Sequence, residues 1–150
     1  MQTSTLNETS GHVGSPLRVF VDANILFSKT LTDWLYFLSQ NYRYPVTLLS
    51  SEDVFAEVIK NLREKNPYAP GRTITHRLNL LRGCIDDVVA DYEVKDHPAV
   101  RDVLDLHVHA AAAVESDADI LLTANTRDFS ADKAPYTLMT PDELFIFFSK

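Results

Sequence analysis

Asp22, Glu57, Asp105 and Asp128 are carboxylates in four separate segments of the chain, each beside apolar residues. Mg²⁺ and Mn²⁺ prefer hard oxygen ligands, so a site that hydrolyses phosphodiesters draws on side chains of this kind. The protein supplies a few oxygens, and water and substrate phosphate fill the remaining positions. One or two such ions can generate hydroxide and stabilise the leaving oxygen. Acids converging from distant segments suit that chemistry, whereas a surface salt-bridge network does not require them. Each acid also has a purely structural reading. Asp22 can close an Asx-turn, Glu57 can pair with Lys60 on an exposed helix face, Asp105 can cap a helix, and Asp128 can cap the loop after Asn125.

The elements that must position these acids are short and alternate in type. Val19 to Val21 reads as a buried strand whose end delivers Asp22, Asn24 and Ser28. In open α/β sheets, ligands bind off the carboxyl ends of the strands. Leu31, Trp34, Leu35 and Leu38 predict a helix to Ser39, capped by Thr30 or Thr32, followed by a turn over Asn41 to Pro45. Val46 to Leu49 reads as a second strand. A helix over Glu52 to Glu64 follows, capped by Ser50 or Ser51, with acids in its first turn.

Pro67, Pro70 and Gly71 mark a loop, and a helix from about Thr73 is expected to stop at Gly83. Val88 to Val94 reads as a strand, and Asp96-His97-Pro98 as a turn or helix start. Asp105 to Glu115 reads as a helix whose alanine run, Ala110 to Ala113, permits close packing on a sheet. Ile120 to Thr123 is a further buried strand, ending in Asn125, Arg127 and Asp128. Tyr136 to Met139 reads as an edge strand, and Thr140-Pro141-Asp142-Glu143 has the form of a capping box opening a last helix. Strands alternating with helices predict an α/β fold with a parallel sheet covered on both faces.

At 150 residues, with 45% hydrophobic and 23% charged residues, the chain has the size and balance of one ordinary globular domain. Residues 1–17 read as a disordered leader without a secretory pattern, and residues 18–150 as a single domain. No apolar run reaches the ~20 residues needed to span a bilayer, so no membrane partner is expected. One cysteine, Cys84, excludes an internal disulfide framework and fits a cytoplasmic setting; it reads as a small core residue. The net charge of −7 weighs against a surface built to wrap nucleic acid, though acidic metal ligands account for part of it. Arg43, Arg63, Lys65, Arg72, Arg77 and Arg82 form a basic middle segment that reads as a solvated face or a phosphate-holding patch. His107 and His109, two apart, point to different sides of a helix and make a poor metal pair. His76 and His97 read as surface residues.

The order of these motifs resembles the PIN-domain family of metal-dependent ribonucleases, which includes the toxins of bacterial toxin–antitoxin pairs. The matching stretches are Val19-Phe-Val-Asp22-Ala-Asn24-Ile-Leu, Ser51-Glu-Asp-Val-Phe-Ala-Glu57-Val, Asp105-Leu-His-Val-His-Ala-Ala-Ala and Ala118-Asp-Ile-Leu-Leu-Thr123-Ala-Asn125-Thr-Arg-Asp128-Phe129. Leu138 to Phe145 resembles the family's last strand and helix. The resemblance implies a three-layer α/β/α sandwich with a central parallel sheet over residues 18–150. It implies that Asp22, Glu57 and Asp105 hold Mg²⁺ or Mn²⁺, that Asn24 and Ser28 support Asp22, and that Thr123 borders the metal pocket. Many members carry an aspartate where this chain has Asn125, so Asp128, or Asp102, is the candidate fourth acid.

The expected activity is then endonucleolytic cleavage of single-stranded or looped RNA by metal-activated water, as in the toxin-type members. Such members imply a homodimer and an antitoxin protein that covers the acidic site. Trp34, Tyr36 and Phe37 are candidates for those surfaces, with core packing the plainer role for Trp34. One alternative is a catalytically degenerate domain that binds RNA or protein, kept open by Asn125. Another is a phosphatase or phosphotransfer domain with Asp22 as nucleophile. Asn24 counts against it, because the haloacid-dehalogenase-like pattern places a second Asp there.

Overall fold

A computed structural model of the chain describes residues 15–40, 45–115 and 117–150. Residues 1–14 of the expected leader, and residues 41–44 of the expected turn with Arg43, lie outside them. Leu17, assigned by the sequence to the leader, is the first residue of strand β1 (Leu17–Val21).

Among the described residues, β1, β2 (Val46–Ser51), β3 (Asp87–Val89), β4 (Ile120–Leu122) and β5 (Thr137–Met139) form one sheet in the order β3-β2-β1-β4-β5. All pairings are parallel, and Val19 of β1 faces Leu48 of β2 on one side and Ile120 of β4 on the other. Helices flank the sheet, giving the three-layer α/β/α sandwich. Val19, Phe20 and Val21 are wholly buried, as are Leu49, Leu121 and Leu122, which is why the central strands read as unbroken apolar runs. Each such side chain contributes about 1.5–3 kcal/mol on burial.

The helices begin where hydroxyls and carboxylates meet free backbone N–H groups. A five-residue helix, α1 (Ala23–Phe27), follows β1 directly with Asp22 as its N-cap, where the sequence suggested only a turn. Helix α2 (Lys29–Ser39) is capped by Ser28, whose Oγ accepts from the Leu31 N–H, and not by Thr30 or Thr32. Thr32 instead turns its hydroxyl back to the Ser28 and Leu26 carbonyls. Ser51 caps α3 (Glu52–Lys65), while Ser50 donates to the Val21 carbonyl across the sheet.

Helix α4 (Gly71–Cys84) runs through Gly83, whose backbone is not left-handed, so the expected glycine stop does not form. Strand β3 ends at Val89, short of the expected Val94. Its neighbour β2 ends at Ser51, opposite Val89, because Ser51 has turned to cap α3. Beyond Val89 no partner strand continues among the described residues.

The expected helix at Asp105 is a composite. Asp102 caps a 3₁₀ turn over Val103–Asp105, four α-helical residues follow as α5 (Leu106–His109), and Ala110–Glu115 winds as a π-helix. The alanine run puts no bulk in the way of that wider turn and packs close to β2. The last helix, α6 (Pro141–Phe148), has its capping box, and Trp34 of α2 meets its Phe145 with ring centroids 5.9 Å apart. No helix among the described residues is long and apolar enough to cross a membrane.

Candidate active site

The chain winds outward from β1 through β2 to β3, then returns to the other side of β1 for β4 and β5. The order therefore reverses between β1 and β4, the position where open α/β sheets leave a crevice for ligand. Asp22 leaves the end of β1 and Thr123 the end of β4 at that crevice.

Asp22 is only 4% exposed and is held from three directions. Its Oδ1 accepts the Ala23 N–H at 2.7 Å. Its Oδ2 accepts the Thr123 hydroxyl at 2.9 Å and the Asn24 Nδ2 amide at 3.3 Å. Burial pushes the Asp22 carboxyl above its ordinary range, and these hydrogen bonds work against that rise by favouring the charged form.

Asn24 ties the two strand ends together. Its Nδ2 also donates to Thr123 Oγ1 at 3.1 Å, and its Oδ1 accepts the Ala124 N–H at 2.9 Å. The Asn125 N–H completes the Thr123 hydroxyl at 3.1 Å. Thr123→Val keeps the shape but strips the acceptor from two donors, so it is expected to cost about 1–3 kcal/mol of stability. Paired urea melts of the variant and the wild type check this; a loss below 0.5 kcal/mol, on the order of a surface change, would show the hydroxyl network to be dispensable.

The other acids lie around Asp22. Glu57, on α3, is half-buried, and its carboxyl is raised by burial first and then by the negative charge of Asp22. His107 Nε2 lies 4.0 Å from Glu57 Oε1, and the charges of His107 and, less strongly, Lys60 favour the ionised form of Glu57. Asp105 is half-buried and makes no capping hydrogen bond, since Asp102 takes that role through the Leu104 N–H. Its carboxyl is pushed up to about 7, by burial first and then by the charges of Asp22, Asp128, Asp102 and Glu57. Asp22, Glu57, Asp105 and Asp128, from four elements, thus share one electrostatic neighbourhood.

Two of the expected supporting residues make no hydrogen bond to the Asp22 carboxylate among the described residues. Ser28 caps α2, its Oγ engaged by the Leu31 N–H. The Asn125 side chain is exposed and caps nothing; the acid on that wall is Asp128, half-buried and felt by Asp105. His107 joins the group unannounced. Its charge would act on both Asp22 and Glu57, and its buried Nδ1 has no hydrogen-bond partner among the described residues. No local pattern marked it, because its partners Asp22 and Glu57 lie on other elements.

His97 is not a free surface residue but stacks on His109, ring centroids 4.1 Å apart, and His109 bonds the Tyr136 hydroxyl. The basic segment is largely committed: Arg82 forks onto Glu52, Arg77 donates to the Leu26 and Phe27 carbonyls, and Arg63 to those of Pro67 and Ala69. Cys84 is half-buried beside an open cavity between α2 and α4.

Among the described residues, no three His, Cys, Asp or Glu side chains close on one point as a ready-made ligand set. Carboxylate oxygens are nonetheless the donors Mg²⁺ and Mn²⁺ favour. Mg²⁺ keeps several waters and binds through one or two carboxylates plus phosphate. An open group of mutually repelling acids fits that demand, and among the described residues no Lys or Arg charge acts on Asp22 or Asp105. No protein-family model matches the chain, and neither does any curated protein.

Proposed function

We propose that the chain is a PIN-like, metal-dependent endoribonuclease that cuts single-stranded or looped RNA. The observation that carries this reading is the convergence of Asp22, Glu57, Asp105 and Asp128 on the strand-order reversal, with His107 as the basic group acting on Asp22 among the described residues. Repulsion of that size at a strand-end crevice costs stability and serves no packing purpose. Asp22, Glu57 and Asp105 are the residues to hold Mg²⁺ or Mn²⁺. The bound ion would supply an activated water and neutralise charge on the phosphate. Asn24 and Thr123 aim Asp22 and, by donating to it, favour its charged form against the effect of burial, and Asp128 forms the far wall. RNA as substrate, a toxin role with an antitoxin partner, and a homodimer are what the resemblance to the PIN-domain family implies, and a cytoplasmic setting fits the single cysteine. Exposed Tyr36 and Phe37 offer apolar surface for such partners.

The test is cleavage of an end-labelled single-stranded RNA with Mn²⁺ or Mg²⁺, with and without EDTA. Cleavage is expected only with the ion, and to return when the ion is restored. EDTA-insensitive cleavage would exclude the metal role. A second reading, an RNA- or protein-binding domain without catalysis, is favoured by the lack of a closed ligand set among the described residues. Calorimetric titration separates the two: no divalent binding at millimolar concentration favours the binding module.

A further inference from the structure

His107 lies on α5, and its Nε2 stands 4.0 Å from Glu57 Oε1 on α3. Hydrogen bonds from nitrogen to oxygen close at about 2.7–3.2 Å, so the two side chains do not bond each other directly. One metal–nitrogen and one metal–oxygen bond, each about 2.0–2.2 Å, span such a gap. The His107 side chain is 21% exposed and that of Glu57 42%, so an ion can reach the pair from solvent. The charge of His107 also acts on Asp22, which places the ring among the acids and not only beside Glu57.

The other histidines near α5 are committed. His97 Nδ1 accepts the Ala99 N–H at 3.0 Å, and its ring stacks on His109. His109 is buried and bonds the Tyr136 hydroxyl. His107 differs from both, because its buried Nδ1 has no hydrogen-bond partner among the described residues. No bond therefore fixes which ring nitrogen carries the proton, and Nε2 is free to act as an electron-pair donor. A lone pair facing a carboxylate oxygen is repelled by it unless a cation lies between the two. The donor types decide which cation. Mg²⁺ takes oxygen ligands and keeps water in preference to nitrogen. Imidazole nitrogen suits first-row transition ions, and Mn²⁺ is a first-row ion that also favours carboxylate oxygen.

We propose that His107 supplies a nitrogen ligand beside Glu57 and thereby makes the acid group select Mn²⁺ over Mg²⁺. The proposal rests on the reading of the acid group as a divalent-ion site, and adds to it a donor outside the four acids.

The experiment is pulsed electron paramagnetic resonance on the full chain loaded with Mn²⁺ alone, without RNA, beside calorimetric titration with Mn²⁺ and with Mg²⁺. The wild type is expected to show the nitrogen modulation of a directly bound imidazole and to bind Mn²⁺ at least about tenfold tighter than Mg²⁺. His107→Leu discards a buried ring nitrogen that lacks a partner, so it is expected to fold. His107→Gln, which keeps a polar side chain, is the second variant. In either, circular dichroism establishes folding, the modulation is expected to vanish, and Mn²⁺ affinity to fall about tenfold. Mg²⁺ affinity is expected to stay within about twofold, since that ion draws on the carboxylates. Mn²⁺ bound without nitrogen modulation in the wild type, or modulation that survives in a folded variant, would overturn the role of His107 and keep the metal reading. Equal affinity of the wild type for the two ions would overturn the selectivity. No binding of either ion at millimolar concentration would remove the metal reading and this ligand with it.

Discussion

Asp22→Asn is expected to fold and to lose RNA cleavage by about 100-fold or more, equivalent to roughly 3 kcal/mol of transition-state stabilisation. The amide oxygen can keep the Ala23 N–H bond that Oδ1 makes now. Its NH₂ then faces Thr123 Oγ1, which already accepts from Asn24 Nδ2 and the Asn125 N–H. That conflict costs about 1 kcal/mol, and removing a buried charge offsets part of it. What the substitution cannot replace is the negative charge at the centre of the group. Metal-dependent turnover on labelled RNA, with circular dichroism to establish folding, checks the outcome. Wild-type cleavage by a folded Asp22→Asn chain would take Asp22 out of the chemistry and the proposed mechanism with it.

Asp105→Asn is expected to stabilise the metal-free chain at pH 8 while abolishing its response to divalent ions. The Asp105 carboxyl stands near 7 in the fold against 3.8 as its ordinary value. Between those values the native state binds more proton than the unfolded chain. The contribution of Asp105 therefore favours the fold at low pH, falls as pH rises through about 7, and is constant above that. A shift of that size would be worth several kcal/mol in a dry site. Asp105 is part-exposed, so solvent screening reduces the gain from Asn to about 1–2 kcal/mol at pH 8, with little gain at pH 4.

Asp105 makes no side-chain capping bond that the substitution could break. Millimolar Mg²⁺ or Mn²⁺ is expected to raise the melting temperature of the wild type by mass action and to leave Asp105→Asn unmoved. Denaturant melts at pH 4 and pH 8, each with and without the ion, give all four comparisons. An Asp105→Asn chain that is less stable than wild type at pH 8 would show that the carboxylate serves the fold, not a ligand.

The frame of this molecule was legible because buried parallel strands leave an unambiguous mark. Val19–Val21 and Ile120–Leu122 have no exposed face, so they are apolar at every position, and their order relative to the helices dictates a parallel sheet. The capping box at Thr140 was equally plain, because its bonds join residues three apart. Boundaries decided by neighbours in space were not. Ser28 and Asp102 took the caps that Thr30, Thr32 and Asp105 could equally have supplied, and β3 stopped where its partner strand ran out.

The chain by itself thus determined which residue types were on offer: acids at strand ends, an amide two residues after Asp22, a threonine closing β4. Local sequence sets these, since periodicity and caps act over a few residues. Only the tertiary structure decided which of them meet. Bonds spanning about a hundred residues bring Thr123 to Asp22 and Ala124 to Asn24. Folding also left Asp105 without a capping bond, left the Asn125 side chain exposed, brought Asp128 within electrostatic reach of Asp105 and set His107 beside Glu57. The physical reason is range: a carboxylate's hydrogen bonds and charge act through space over a few ångströms, and no spacing along the chain records them.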